Sequence, residues 1–176
     1  GTARFNEKAL TTGTQQHYNP KITELSNGNL AVVYHVSGKG TDASGYGVFG
    51  QVIDGQGNRI GEEFQVNADY TSSHQYNARV VALKDGNFMV AWESNLEDGS
   101  GYGLYGKVYD VEQGSTSAKI QLNQYGSSNQ DNIKLISPNG DDVVGVWESN
   151  GQDVSSEGIY MNVWNVTGVI PVGNII

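Results

Sequence analysis

The stretch from Trp92 to Asp110, WESNLEDGSGYGLYGKVYD, is written three times in this chain, and that repetition limits the fold more than any other feature. Upstream, Tyr34 to Asp54 reads YHVSGKGTDASGYGVFGQVID; downstream, Trp147 to Asn165 reads WESNGQDVSSEGIYMNVWN. Tyr34, Trp92 and Trp147 mark one aromatic position, and Gly47, Gly103 and Gly158 mark a glycine that keeps the same period. Asn19, Asn77 and Asn132 open the units in QHYNPKI, HQYNARV and NQDNIKL. Several features held at one period are the mark of stacked supersecondary units.

Each unit reads as four strands. The first covers Pro20 to Leu25, Ala78 to Leu83 and Ile133 to Ile136. It ends at Ser26-Asn27-Gly28, Lys84-Asp85-Gly86 or Pro138-Asn139-Gly140, and Asn-Gly and Asp-Gly pairs favour tight hairpins because both residues tolerate positive φ. The second covers Asn29 to Val36, Asn87 to Glu93 and Asp142 to Glu148, rich in Val and aromatics that fit a pleated surface. The third covers Tyr46 to Asp54, Tyr102 to Asp110 and Gly158 to Asn165, with Val48, Gly50 and Val52 alternating against Phe49, Gln51 and Ile53. The fourth covers Glu62 to Asn67 and Lys119 to Asn123, with a third copy expected in the last residues, which end GNII. No segment has the apolar spacing of a helix. Phe5 to Leu10 precedes the first Asn motif as a fourth strand precedes the others, so it is expected to be an orphan outer strand.

Three four-stranded antiparallel repeats of about 55 residues predict an all-β fold of β-propeller blades, as a half ring or an excerpt of a longer array. The β-trefoil, which closes with three repeats, is the alternative. The expected organisation is one repeat domain over residues 1–176, with an outer strand at 1–14 and repeats at 15–72, 73–127 and 128–176. Two chains supplying three blades each would close a six-bladed ring, so self-association as a dimer or filament is expected. Open edges at Phe5, Ala9, Leu10, Ile175 and Ile176 are the candidate assembly strands.

The net charge of −9 argues against a nucleic-acid partner. No apolar run reaches the length of a membrane span, so no membrane insertion is expected. There is no cysteine, which removes disulfides and thiol chemistry. GTARFNEKAL lacks a signal-peptide pattern and reads as a mature or excised end. The acidic, Gly-, Asn-, Ser- and Tyr-rich surface suits an extracellular or cell-surface location.

The pattern carried by Trp92, Ser94, Asp98, Gly99, Ser100, Gly101, Gly103, Tyr105, Gly106 and Asp110 continues through Glu63, Val66, Asn67, Gln75, Asn77, Leu83, Asp85, Gly86, Phe88 and Val90. It resembles repeats of large bacterial secreted and surface proteins, often found beside calcium-binding or cadherin-like modules. Copy two fits best. Copy one has Tyr34 for Trp and a longer loop, and copy three loses Gly-Tyr to Ser156-Glu157 and ends at Asn165 rather than Asp. The resemblance implies a blade-like β fold with an adhesive or matrix role; it does not imply an enzyme.

Three constellations are candidates for function. The acidic loops hold Asp42, then Glu97, Asp98 and Ser100, then Asp153. Asp42, Glu97, Asp98 and Asp153 are hard oxygen ligands of the kind calcium takes. The plainer reading is an Asx turn, with no cofactor required. Tyr46 and Tyr102, flanked by glycine, are candidates for an aromatic platform that binds glycans together with Asp42, Asp98, Ser100 and Asp153. Tyr34, Trp92 and Trp147 read as inter-blade core, with the indole N–H groups satisfied locally. The pairs Gln16 and Asn19, Gln75 and Asn77, and Gln130 and Asn132 read as braces for backbone groups where the chain crosses between repeats. His17 and His74 fall in corresponding motifs, which reads as shared local structure rather than a metal site.

No catalytic motif is present, and an active site normally breaks repeat symmetry. The expectation is therefore a non-catalytic extracellular adhesion or matrix module that binds glycans or proteins. Its alternative is a self-assembling structural subunit joined by terminal strand exchange, and a hydrolase with a propeller fold ranks third, since no asymmetric carboxylate pair stands out.

Overall fold

The computed structural model of the chain describes residues 6–111, 115–154 and 156–168. It contains β1 (His17–Glu24), β2 (Leu30–Lys39), β3 (Asp42–Ile53), β4 (Arg59–Gln65), β5 (Gln75–Ala82), β6 (Phe88–Asn95), β7 (Tyr102–Asp110), β8 (Ser115–Thr116), β9 (Ile120–Gln121), β10 (Gln130–Ile136), β11 (Asp142–Asn150) and β12 (Glu157–Asn165). These form three antiparallel sheets in the orders β1-β2-β3-β4, β5-β6-β7 and β10-β11-β12, with both β8 and β9 paired to β7. Each sheet is one blade, and blades pack face to face as separate sheets, which is the propeller arrangement rather than the trefoil.

The hairpin turns form where Asn-Gly and Asp-Gly stand. Between β5 and β6, Asp85 at φ 57° and Gly86 at φ 75° both take left-handed backbone. The first strand of each blade starts three residues earlier than the sequence pattern predicts. Asn19, Asn77 and Asn132 hold φ values of 52°, 52° and 56°, and pairing with the second strand slips at each. Asparagine tolerates this conformation better than most side chains. Each therefore acts as a bulge that lets the strand continue on its far side.

The core lies between blades. Ala31, Val33, Val48 and Val52 of the first blade bury Ala78, Phe88, Val90 and Trp92 of the second. Met89, Ala91, Leu104 and Val108, on the second blade's other face, bury Ile133, Val143 and Trp147 of the third. The alternation predicted in β3 is real: Val48 and Val52 face the second blade, while Phe49 joins Val32, Tyr34 and Val36 on the opposite face. Trp92 Nε1 and Trp147 Nε1 are buried with no hydrogen-bond acceptor among the described residues, so the expected local partner for the indoles is not there. On the third blade Val146, Ile159, Met161 and Val163 are exposed at positions where the second blade's Ala91, Leu104, Gly106 and Val108 are buried.

The terminal strands depart from expectation. Phe5 lies outside the described residues, and residues 6–10, which include Ala9, form no strand. Leu10 instead packs on the Val32, Tyr34, Val36 and Phe49 cluster, and its carbonyl accepts a hydrogen bond from Arg59 Nη2. Burial of one leucine on an apolar patch replaces the ladder expected there. The C-terminal copy of strand four, with Ile175 and Ile176, lies outside the described residues. In the second blade the predicted strand over Lys119 to Asn123 shrinks to β9, with Leu122 N–H still donating to the Leu104 carbonyl just beyond it.

Candidate functional site

The first strands of successive blades meet at their bulges. Asn19 Nδ2 donates to Asn77 Oδ1 at 3.0 Å. Asn77 Nδ2 in turn donates to Glu93 Oε2 at 2.8 Å, and Asn132 N–H donates to Glu93 Oε1 at 2.9 Å. Asn132 Nδ2 donates to Glu148 Oε2 at 2.9 Å. One line of bonds therefore links all three bulges and carries two carboxylates with it.

Cross-strand pairing puts a residue of the first strand opposite one of the second: Tyr18 with His35, Tyr76 with Glu93, and Asp131 with Glu148. Such partners share a face, with Cβ atoms about 5 Å apart. The third strand adds Tyr46, Tyr102 and Glu157, paired with Ser37, Asn95 and Asn150. These nine residues are three copies of three repeat positions, but their chemistry is not threefold. The first blade supplies Tyr18, His35 and Tyr46. The second supplies Tyr76, Glu93 and Tyr102. The third supplies Asp131, Glu148 and Glu157.

The aromatic members touch. Tyr18 stacks on His35 with ring centroids 5.5 Å apart, and Tyr46 meets His35 edge-on at 5.4 Å. His35 reaches Tyr76 at 6.1 Å, and Tyr76 reaches Tyr102 at 5.2 Å. Together they make a wall of rings that ends at the acids. Burial pushes the Tyr76 hydroxyl well above its usual range, helped by its hydrogen bond to Tyr102 and by the charges of Glu93 and Asp131. Burial, with Lys21 adding to it, lowers His35, so its imidazole is neutral near pH 7.

The acids differ among themselves. Glu93 is 2% exposed, and burial raises its pKa against the pull of Asn77, Asn132 and Arg79. Both of its oxygens are occupied by N–H donors, so it braces the bulges rather than facing solvent. Asp131 is half-buried and raised by burial first, then by Glu148 and Glu157. The Asn132 amide lies between the two acids, donating to Glu148 Oε2 at 2.9 Å and to Asp131 Oδ1 at 3.4 Å. The pair thus sets a carboxyl of raised proton affinity opposite a second acid on the neighbouring strand.

Replacing Asn77 by Gly keeps the left-handed backbone but removes the amide from Glu93 Oε2. The variant is expected to lose about 1–3 kcal/mol of stability. A carboxyl raised in the folded state binds more protons than in the unfolded chain. Its destabilising effect is absent below the unfolded pKa and grows as pH rises through the folded value. The loss should therefore be larger at alkaline than at acid pH, read from urea melts at several pH values.

The residues predicted for the site go to two places. Tyr46 and Tyr102 join the aromatic wall. The acidic loops do not join it. A Cβ at Gly47, Gly103 or Gly158 would sit 2.7–2.9 Å from Asp42, Asp98 or Asp153 Oδ2, so in every blade the loop aspartate folds onto the third-strand glycine. Asp42 is buried and accepts from Asn67 Nδ2 at 2.5 Å. Asp98 accepts from Ser100 N–H at 3.3 Å, the Asx-turn geometry, while Ser100 Oγ accepts from Ser128 N–H. Glu97 pairs with Lys119, and Asp153 accepts from Tyr160 Oη. Among the described residues, no three His, Asp or Glu side chains are grouped to hold a metal.

Two of the three glutamines brace the crossings, whereas Gln16 accepts from Tyr18 Oη. Gln75 and Gln130 are fully buried, accept from Asn67 and Asn123, and donate to Ser72 and Ser127 carbonyls. The histidine correspondence is off by one, since His17 pairs with Val36 where Gln75 pairs with Ser94, and His74 instead matches Gln16. A recess lined by Leu83, Lys84, Gly140 and Val166 lies among the hairpin turns, away from the acid and aromatic layer.

Asp131, Glu148 and Glu157 were missed in the sequence. The signal was available in the departures of the third copy: acids stand at all three positions where the first copy has Tyr, His and Tyr.

No family model and no curated protein sequence matches the chain. Two solved structures share its fold. An endo-arabinase from Bacteroides thetaiotaomicron aligns with a TM-score of 0.57 at 13% identity, over 90% of this chain and 60% of that one. A thermostable family-43 glycoside hydrolase aligns with a TM-score of 0.55 at 14% identity, over 92% and 59%. Both are five-bladed propellers, and this chain spans about three-fifths of their length. At such identity the likeness establishes the blade fold.

These matches overturn the expectation of a non-catalytic adhesion or matrix module, and with it the alternative of a strand-exchanged structural subunit. They likewise overturn the exclusion of an enzyme. Both rested on reading blade repeats as adhesive and on the absence of an asymmetric acid group. The fold is one that glycoside hydrolases use, and the third blade breaks the repeat symmetry with three carboxyl groups.

Proposed function

We propose that the chain carries a carbohydrate-active site that hydrolyses glycosidic bonds where its first strands converge. The observation that carries this reading is the Asp131–Glu148 pair at the end of an aromatic wall. Two carboxyl groups placed side by side across a bound sugar can divide acid and base roles. Asp131, raised by burial and by its acidic neighbours, gives its proton to the leaving glycosidic oxygen. Glu148, which accepts from Asn132 Nδ2, takes a proton from the water that attacks the anomeric carbon. The carbon–oxygen bond to the leaving sugar breaks, and the two carboxyl groups regain their starting states by proton exchange with solvent. Tyr46, Tyr76 and Tyr102 offer ring faces to the apolar C–H faces of sugars, with polar edges for their hydroxyls. Glu93 is a positioning residue, since it holds both Asn77 and Asn132.

The names of the two structural neighbours support a polysaccharide substrate, and arabinan is the first to test. Release of reducing ends from arabinan and from a panel of plant and bacterial polysaccharides is the assay. Cleavage of at least one by folded protein is expected. A folded protein that cleaves none of them would sink the reading.

A further inference from the structure

We infer that this site takes an acidic glycan, with a uronate carboxylate bound by Lys21, Arg79 and Lys134; the inference rests on the hydrolytic reading above. The three residues occupy one repeat position, two residues beyond each bulge asparagine. Each reaches back to the bulge. Lys21 Nζ lies 3.5 Å from the Asn19 carbonyl, Arg79 Nη1 3.2 Å from that of Asn77, and Lys134 Nζ 3.0 Å from that of Asn132. Because the bulges are themselves joined through Asn19, Asn77, Glu93 and Asn132, the three cations are gathered beside the first-strand junction.

Their neighbours are what point to an anion. Three of only ten lysines and arginines in an acidic chain converge here. The other ion pairs of the described residues use Lys39, Lys84, Lys107 and Lys119, and none of the three gathered cations has a carboxylate at ion-pair distance. Their hydrogen bonds go to neutral carbonyl and amide oxygens, and the charge of Arg79 acts on Glu93 without a direct ion pair. Arg79 and Lys134 add to burial in lowering Lys21, as like charges at close quarters do. An anion placed among them removes that repulsion, and a carboxylate accepts from both ammonium and guanidinium groups. Because the bulge takes up one residue, this position lies two strand steps from Tyr18, Tyr76 and Asp131, about 6–7 Å, the length of a sugar ring with its substituent. A uronic acid thus sets its carboxylate on the cations while its ring faces the aromatic wall. The plain function of the cations, bracing bulge carbonyls, needs no charge at all beyond a donor.

Calorimetric titration of the folded chain with trigalacturonate, neutral arabinotriose and sodium sulfate tests this. Trigalacturonate is expected to bind, more weakly as salt rises. Lys21→Met and Lys134→Met should each lower the acidic-to-neutral affinity ratio about tenfold, the scale of a hydrogen bond to a charged group. Lys21→Arg, which keeps the charge, should restore it. An unchanged ratio in the Met variants would overturn the inference, as would sulfate binding without trigalacturonate binding, which marks a free-anion site. Cleavage of neutral polysaccharide with no binding of the acidic one overturns the inference and leaves the hydrolytic reading standing. Charge-dependent trigalacturonate binding in a protein that cleaves nothing upholds the carboxylate site and sinks hydrolysis.

Discussion

Asp131→Asn is expected to lower glycosidic cleavage by about 10²–10⁴-fold, the usual contribution of a positioned general acid. The substitution is nearly isosteric, and the side chain is half-buried on a strand whose backbone pairing does not depend on it. Loss of activity without loss of fold is therefore the outcome to expect, checked by initial rates beside a urea melt. The pH profile adds a readout that a structural role would not give. With Asp131 raised above the usual carboxylate range, first by burial and then by Glu148 and Glu157, the wild type keeps its acid protonated to higher pH than an exposed aspartate would. Activity should fall on the alkaline side as Asp131 deprotonates. Glu157→Gln removes one of the charges that raise it, so the alkaline limb should move to lower pH. An unchanged limb in Glu157→Gln, or a folded Asp131→Asn variant with wild-type rates, would remove Asp131 from the acid role.

Trp92→Ala should produce the largest stability loss, about 3–5 kcal/mol, read as a fall in the urea midpoint. Trp92 is fully buried between the first and second blades, against Val33, Val48 and Val90, and stacks on Tyr105 at 6.3 Å. Its indole N–H has no acceptor among the described residues, so the change measures packing with no hydrogen-bond loss mixed in. Against a total stability of roughly 5–15 kcal/mol for a domain of ordinary size, this loss brings the chain close to unfolding. Val154→Ala, at a fully exposed loop residue, should leave the midpoint where it was. A cost below about 1 kcal/mol for Trp92→Ala would mean that the blades are not held by this inter-blade core.

Blade number, strand order and the alternation of β3 were legible in the sequence, because strand patterning and Asn-Gly turns are local. A period-two apolar pattern says which side chains share a face, and a left-handed turn residue says where the chain reverses. The same locality explains the errors at the edges. Leu10 was read by analogy with other repeats, but it had an apolar patch to cover rather than a strand to pair with. The loop aspartates left two readings open, ligand or Asx turn, because oxygen-rich loops look alike in sequence. Only the approach of Gly47, Gly103 and Gly158 shows that Asp42, Asp98 and Asp153 fold onto their own blades.

What the sequence by itself determined is the set of repeat positions and the chemistry at each: Tyr18, Tyr76 and Asp131; His35, Glu93 and Glu148; Lys21, Arg79 and Lys134. What only the tertiary structure decided is that these positions meet. Residues a full repeat apart come into contact because inter-blade burial of Trp92 and Trp147 draws the first strands together, and the asparagine bulges then turn their side chains across the junction. Local patterning cannot encode that convergence, because it is a property of how sheets stack. The third copy's departures look like sequence decay when read along the chain. On the third blade they stand near one another, where the aromatic wall ends.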